Sequence, residues 1–218
     1  MSSEPLGERS NYRRGRLDAG DLLADPTDQF RRWVDEAIAE GAPEPLAAAL
    51  ATADAEGQPS VRMILIRGIS RGGLDFYTNH GSRKGRDLAA RPVAALSLWW
   101  PTLERQVRLS GPVSKLSQAE SAAYFATRPR ESQLGAWASA QGEPIADRAA
   151  LEAALRAAAE HHAPHPDAQP DLPPHWGGYR VTPTRWEFWQ GGEFRLHDRF
   201  EYRRTTADEP WETRRLQP

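Results

Sequence analysis

Several groups of side chains in this sequence have the types and spacing to handle an anionic ligand. In WQGGEFRLHDRF, from Trp189 to Phe200, the residues Glu193, Arg195, His197 and Arg199 alternate after a Gly191-Gly192 turn where positive φ is cheap. Read as a strand, the run puts those four on one face and Phe194, Leu196, Asp198 and Phe200 on the other. The second face is apolar at three of four positions and is expected to pack. Two arginines flanking a histidine then offer charge and flat contact to an anionic, aromatic ligand. A solvated strand face is the competing reading.

Three further groups lie upstream. At Tyr77-Thr78-Asn79-His80-Gly81-Ser82-Arg83-Lys84 a strand runs into a Gly-Ser turn and a helix that starts with two cations. The helix dipole disfavours cations there unless an anion shares the site. Free N–H groups, a hydroxyl and two cations are the parts of a phosphate cradle, although a plain Ser N-cap with surface charges fits the same letters. Arg62 and Arg67 bracket the apolar run Met63–Ile66, and on a regular strand a five-residue spacing sends them to opposite faces unless a bulge intervenes. Tyr124 and Arg128 stand four apart, on one face of an expected helix.

The elements that must position these groups follow from periodicity and punctuation. Residues 1–20 are polar, arginine-bearing and without apolar periodicity, and are read as a mobile arm. Asp25-Pro26 opens a helix with Phe30, Trp33, Val34, Ala37 and Ile38 at helical spacing. Strand-like runs follow at 46–54, 60–69, 74–79, 93–100 and 105–113. Ser117-Gln118-Ala119-Glu120 has the form of a capping box, Ser132 to Ser139 a short helix, and Asp147 caps an alanine-rich helix to about His162. A Pro-rich loop at 163–174 precedes strands at 176–181, 185–190, 194–204 and 211–216. Short strands with helices inserted between them predict an α+β antiparallel barrel, with residues 21–218 as a single domain.

Composition narrows the chemistry. With no cysteine, thiolate catalysis, disulfides and iron–sulfur clusters are excluded, and redox work falls to a bound cofactor. The 28 basic against 30 acidic residues give no global field for nucleic acid or a membrane surface. No apolar run approaches the ~20 residues of a membrane helix, and MSSEPLGERS has no signal-like segment, so the expected location is the cytoplasm. His161, His162 and His165 lie without a carboxylate or thiolate at ligand spacing, and no metal site is expected.

Taken together, RMILIR (Arg62 to Arg67), FYTNHGSRK (Phe76 to Lys84), TLERQVRLSG (Thr102 to Gly111), YFATRPRESQLGAW (Tyr124 to Trp137) and FWQGGEFRLHDRF (Phe188 to Phe200) resemble the pyridoxine/pyridoxamine 5′-phosphate oxidase family. The resemblance covers most of the chain from about Arg9. It implies an FMN-binding split barrel, mainly antiparallel with peripheral helices, and a homodimer with FMN at the subunit interface. It also implies oxidation of pyridoxamine and pyridoxine 5′-phosphates to pyridoxal 5′-phosphate by dioxygen, giving hydrogen peroxide, with ammonia from the amine. Around FMN it places Arg62, Met63, Ile64, Leu65, Ile66, Arg67, Tyr77, Thr78, Arg83, Lys84, Gln106, Gln141, Gly142, Trp189 and Arg199. Around the substrate it places Arg9, Tyr12, Arg67, Tyr124, Arg128, Ser132, Arg195 and His197, with Arg195 and His197 over the reacting ring and the N-terminal arm as a lid. Arg67 stands where the family pattern has Lys, and Gly142 where it commonly has Ser. A flavin oxidase of another aromatic substrate, and a non-catalytic flavin or pyridoxal phosphate carrier, are the alternatives.

Overall fold

The structure is a computed structural model that describes residues 11–70, 72–163 and 169–218, so Arg9 and His165 lie outside the described residues. The chain divides into two compact units. The first comprises Met1–Leu46, Ser97–Leu109 and Thr184–Pro218, and the second Ala47–Leu96 and Ser110–Pro183. Strands β5 (Val93–Trp100) and β6 (Arg105–Lys115) contribute residues to both.

In the first unit, helix α1 (Pro26–Ala39) forms where expected. The Asp25 side chain accepts the Thr27 N–H, Pro26 occupies the first turn, and Phe30, Trp33, Val34 and Ala37 are buried on one face. That face meets strand β8 (Arg185–Gln190): Phe30 packs 5.4 Å from Trp186, and Trp33 stands edge-on to Phe188 at 5.2 Å. Each fully buried large side chain contributes about 1.5–3 kcal/mol, enough for this cluster to fix the helix. Strand β9 (Asp198–Arg203) pairs antiparallel with β8 and with β10 (Glu212–Leu216).

In the second unit, β1 (Ala47–Ala53) pairs antiparallel with β2 (Pro59–Leu65), and β4 (Gly73–Asn79) pairs antiparallel with β3 (Gly68–Ser70) and β7 (Trp176–Val181). Among the described residues, four helices belong here: α2 (Arg83–Ala90), α3 (Gln118–Ala126), α4 (Arg130–Ala138) and α5 (Arg148–His161). Ser117 and Glu120 form the expected capping box at the start of α3. Mainly antiparallel strands with peripheral helices are the α+β architecture that the sequence implied.

Three local expectations are corrected. The run after Gly192 does not re-extend at once: Glu193–Arg195 is a single 3-10 turn, and β9 begins only at Asp198. The alternation of Glu193, Arg195, His197 and Arg199 on one strand face therefore fails. Phe194 and Leu196 are 78% and 70% exposed, and of the expected packing side only Phe200 is buried. The physical cause is close backbone approach. A Cβ on Gly192 would lie 2.1 Å from the Leu196 carbonyl oxygen, so the missing side chain lets the loop close on itself. Positive φ falls not on the glycines but on Phe194 (55°) and Arg195 (68°).

Arg62 and Arg67 do not alternate on one strand either. β2 ends at Leu65, and the Arg67 N–H donates to the Asp75 carbonyl at the crossing into β3, which breaks the period of two. Arg128 lies beyond the last turn of α3 and is held by its N–H to the Phe125 carbonyl rather than on a helical face with Tyr124.

Candidate functional site

The second unit contains a cavity of about 910 Å³, ample for a cofactor with a small substrate. One part of its wall is the turn from β4 into α2. Ser82 is the N-cap and accepts the Gly85 N–H. Gly85 is required here, because a Cβ would meet the His80 carbonyl oxygen at 2.1 Å. The Lys84 ammonium, 8% exposed, donates to Thr78 Oγ1 at 3.1 Å, Ser82 Oγ at 3.2 Å and Gln141 Oε1 at 3.3 Å, all of them neutral oxygens. Burial, and then the nearby Arg62 charge, push its pKa below the usual lysine value. Arg62 donates to Thr52 Oγ1, Ser60 Oγ and the Leu50 carbonyl, and stands 3.6 Å from Asp87. Burial lowers its pKa, partly opposed by Asp87. Arg83 is more than half exposed and reaches Asp54 only at 4.0 Å.

Another part of the wall is aromatic. Tyr77 and Tyr124 stack at 3.8 Å, and Trp176 continues the stack at 5.5 Å from Tyr77. The Arg128 guanidinium lies over Trp176 at 4.8 Å, and one of its terminal nitrogens is buried with no hydrogen-bond partner among the described residues. Its pKa is depressed by burial and by Arg67, with Tyr124 acting the other way. A buried guanidinium nitrogen of this kind beside a second guanidinium has the chemistry to bind an anion.

This cavity brings together Arg62, Met63, Ile64, Leu65 and Arg67 from the β2 stretch, and Tyr77, Thr78, Arg83 and Lys84 from the β4–α2 turn. From the α3–α4 stretch it adds Tyr124, Arg128, Ser132, Gln141 and Gly142. Arg62 and Arg67, expected on opposite faces, line the same space. Ile66 does not line it; its side chain is buried at 1% exposure. Gly142 has φ 95°, a region that side-chain-bearing residues rarely adopt.

The remaining site candidates with described positions are in the first unit. There, Tyr12 lies edge-on to Trp189 at 5.5 Å and to His197 at 5.8 Å, and Trp189 and His197 are 4.6 Å apart. His197 Nδ1 accepts the Gly192 N–H at 3.1 Å, so a neutral ring carries its proton on Nε2. Burial, then Arg195 and Arg199, lower the pKa of His197. Arg199 is committed to Glu187 Oε1 at 2.9 Å and to the Gln217 carbonyl. Arg195 is exposed and Gln106 half-buried.

Trp176 was not among the residues singled out in the sequence, yet it carries both the tyrosine stack and Arg128. Its signal was the following Gly177-Gly178: a Cβ on Gly178 would meet Leu116 Cδ1 at 2.5 Å and the Tyr77 ring at 2.8 Å, so the absent side chain lets both neighbours close in.

Residues 34–162 match the family described as Pyridoxamine 5′-phosphate oxidase, and residues 176–218 match the Pyridoxine 5′-phosphate oxidase C-terminal dimerisation region. The chain is similar to a Pyridoxine/pyridoxamine 5′-phosphate oxidase of Cupriavidus necator, 50% identical over 96% of this chain and 97% of that protein. It is 51% identical to one of Deinococcus deserti over 96% of this chain and 97% of that protein. Among solved structures it is similar to PhzG from Burkholderia lata 383 in complex with tetrahydrophenazine-1-carboxylic acid. The TM-score is 0.84 and the identity 32%, covering 91% of this chain and 95% of that one. No helix among the described residues is long and apolar enough to cross a membrane.

Proposed function

From its membership of the pyridoxamine 5′-phosphate oxidase family, we propose that this chain oxidises pyridoxamine 5′-phosphate and pyridoxine 5′-phosphate to pyridoxal 5′-phosphate, using FMN, in the cytoplasm. Dioxygen is the acceptor and becomes hydrogen peroxide; the amine substrate also takes up water and releases ammonia. The observation that carries this reading is the presence of uncompensated cations in one cavity. Lys84 is buried among neutral oxygens, and Arg128 keeps an unpartnered buried nitrogen beside Arg67. Two phosphate-bearing ligands, a cofactor and a substrate, supply the missing charge.

The residues present fit FMN. Arg62, Arg83 and Lys84 would hold its single terminal phosphate, with Thr78, Gln141, Gly142 and the Met63–Leu65 stretch along the rest of the molecule. Bound there, FMN supplies the two-electron acceptor and the route to dioxygen. The chain's own contribution is to bind and orient. Arg67, Arg128, Tyr124 and Ser132 hold the substrate phosphate through charge and hydroxyl groups. Gln106, Trp189 and Arg199 would complete the cofactor contacts, and Tyr12, Arg195 and His197 would cover the substrate ring, a role that the family resemblance also implies for Arg9. His197 does so as a neutral Nε2–H donor. The family's dimerisation region supports a homodimer; FMN at its interface, with each site drawing on both chains, is part of the proposal. A phosphate-free aromatic substrate would leave Arg128 unmatched, which disfavours that alternative.

Anaerobic addition of pyridoxamine 5′-phosphate to the purified yellow protein tests the proposal. The visible flavin absorbance is expected to bleach and to return when air is admitted. A flavin that stays oxidised would identify a carrier, and release of only FAD on denaturation would contradict the cofactor assignment.

A further inference from the structure

We propose that Glu104 is a positioning residue that clasps the N-terminal segment against Trp189 and His197, an inference that rests on the oxidase reading of those residues. Residues 11–17 have no helix or strand of their own, yet Leu17 is buried and Tyr12 is packed among Trp99, Trp189 and His197. An extended segment needs partners for its backbone from elsewhere. One carboxylate oxygen of Glu104 accepts the N–H of Arg13 at 2.7 Å and of Arg14 at 2.9 Å. The backbone carbonyl of the same residue accepts the Gly191 N–H at 2.8 Å. Glu104 therefore ties the segment that carries Tyr12 to the turn that leads to His197.

The geometry is specific on each side of this contact. Glu104 has φ 53°, a left-handed conformation that a non-glycine residue keeps only where its surroundings hold it, here by its N–H on the Pro101 carbonyl and its carbonyl on Gly191. A Cβ on Gly191 would lie 2.7 Å from Tyr12 Cβ, so the turn admits Tyr12 only because it carries glycine there. At its far end the segment is tied through Leu17, whose N–H donates to Asp198 and whose carbonyl accepts from Arg215; around Tyr12 its other ties are the ion pairs Arg13–Glu193 and Arg14–Glu40. These are about half exposed or more on every side chain, and solvent screens them. Bonds from two N–H groups to one carboxylate are stronger and directional. The carboxylate bonds to the N–H groups that follow Tyr12 and not to its three ring partners, so it acts by holding the backbone from which Tyr12 projects.

The test uses the flavin-loaded protein and the variants Glu104→Ala and Glu104→Gln. Both keep the carbonyl that holds Gly191, so the turn is spared. Limited trypsin digestion reads the segment directly at Arg13, Arg14 and Arg16, because cleavage follows local opening. Glu104→Ala is expected to be cut there about tenfold faster than the wild type, and to show a KM for pyridoxamine 5′-phosphate about tenfold higher with kcat reduced less. Glu104→Gln, whose neutral oxygen still accepts, is expected in between, and it carries the test if the alanine variant fails to fold. Wild-type cleavage at those three sites, or faster cleavage with an unchanged KM, would overturn the proposal. A wild-type protein without oxidase activity would sink the oxidase reading instead, and the cleavage rates would still decide whether Glu104 is the clasp.

Discussion

Two cations in the cavity of the second unit, Lys84 and Arg128, are treated differently from the paired cations of the first. In the first unit, Arg105 is paired with Glu36, Arg108 and Arg199 with Glu187, and Arg185 and Arg214 with Glu201. Both Glu187 and Glu201 are almost wholly buried, and each is matched by two guanidinium groups. In the cavity, Lys84 is also buried, with no carboxylate partner among the described residues, and Arg128 has a buried nitrogen with no hydrogen-bond partner among them. Desolvating a charge costs several kcal/mol unless it is compensated. Two buried cations without a carboxylate, in a fold that pairs the buried Glu187, Glu201, Asp75 and Asp87 with guanidinium groups, carry a cost in stability that a bound anion would offset. On the proposed reading, Lys84 and Arg128 are the cations that an anionic ligand would match; pairing does not remove a cation from that site, since Arg62 and Arg199 have carboxylate partners and belong to it.

The comparison can be broken at either side. Lys84→Met should have the largest effect, weakening FMN binding by about 100-fold, the loss of a charge-assisted contact worth about 1.5–3 kcal/mol; flavin fluorescence titration measures it. Arg128→Ala comes next. It should raise the KM for pyridoxamine 5′-phosphate at least about tenfold with flavin content unchanged, and an unchanged KM would move Arg128 out of the substrate site. On the structural side, Glu187→Gln should lower stability at neutral pH by about 1–2 kcal/mol. Burial alone would raise the Glu187 pKa, but the bonds from Arg199 and Arg108 outweigh it and hold the pKa below the usual value. Its stabilisation is therefore present above the unfolded carboxylate pKa of about 4.3 and is lost as pH falls through the lower folded value. Urea unfolding should show the gap to Glu187→Gln closing only in that acid range. Arg67→Lys should have the smallest effect, with activity within about tenfold, since either cation binds phosphate.

Much of this was legible in the letters, for reasons that differ by residue. Ser82 to Lys84 was readable as a helix start because the Gly-Ser turn supplies the local cap that Ser82 forms. The aromatic spacing of α1 and the capping box of α3 were readable because local patterns and local bonds determine them. The turn at 193–197 was not, because the decisive contact, Gly192 against the Leu196 carbonyl, is a close approach that a strand template cannot express. Arg62 and Arg67 reached the same cavity through the break between β2 and β3, where Arg67 bonds to Asp75 on another strand. Trp176 depended on a stack with Tyr77 and Tyr124, which are 99 and 52 positions away in the sequence.

The most direct test of the contrast is thermal unfolding of the FMN-free protein in three forms: wild type, Lys84→Met and Arg105→Met. Arg105 is paired with Glu36 and Gln190 and lies over Trp33, so its loss should lower Tm by several degrees. Removing Lys84 relieves an uncompensated buried charge, so Tm should stay level or rise. Parallel losses of Tm in both variants would mean that Lys84 is as structural as Arg105, and would contradict the reading of the cavity as a site built around missing negative charge.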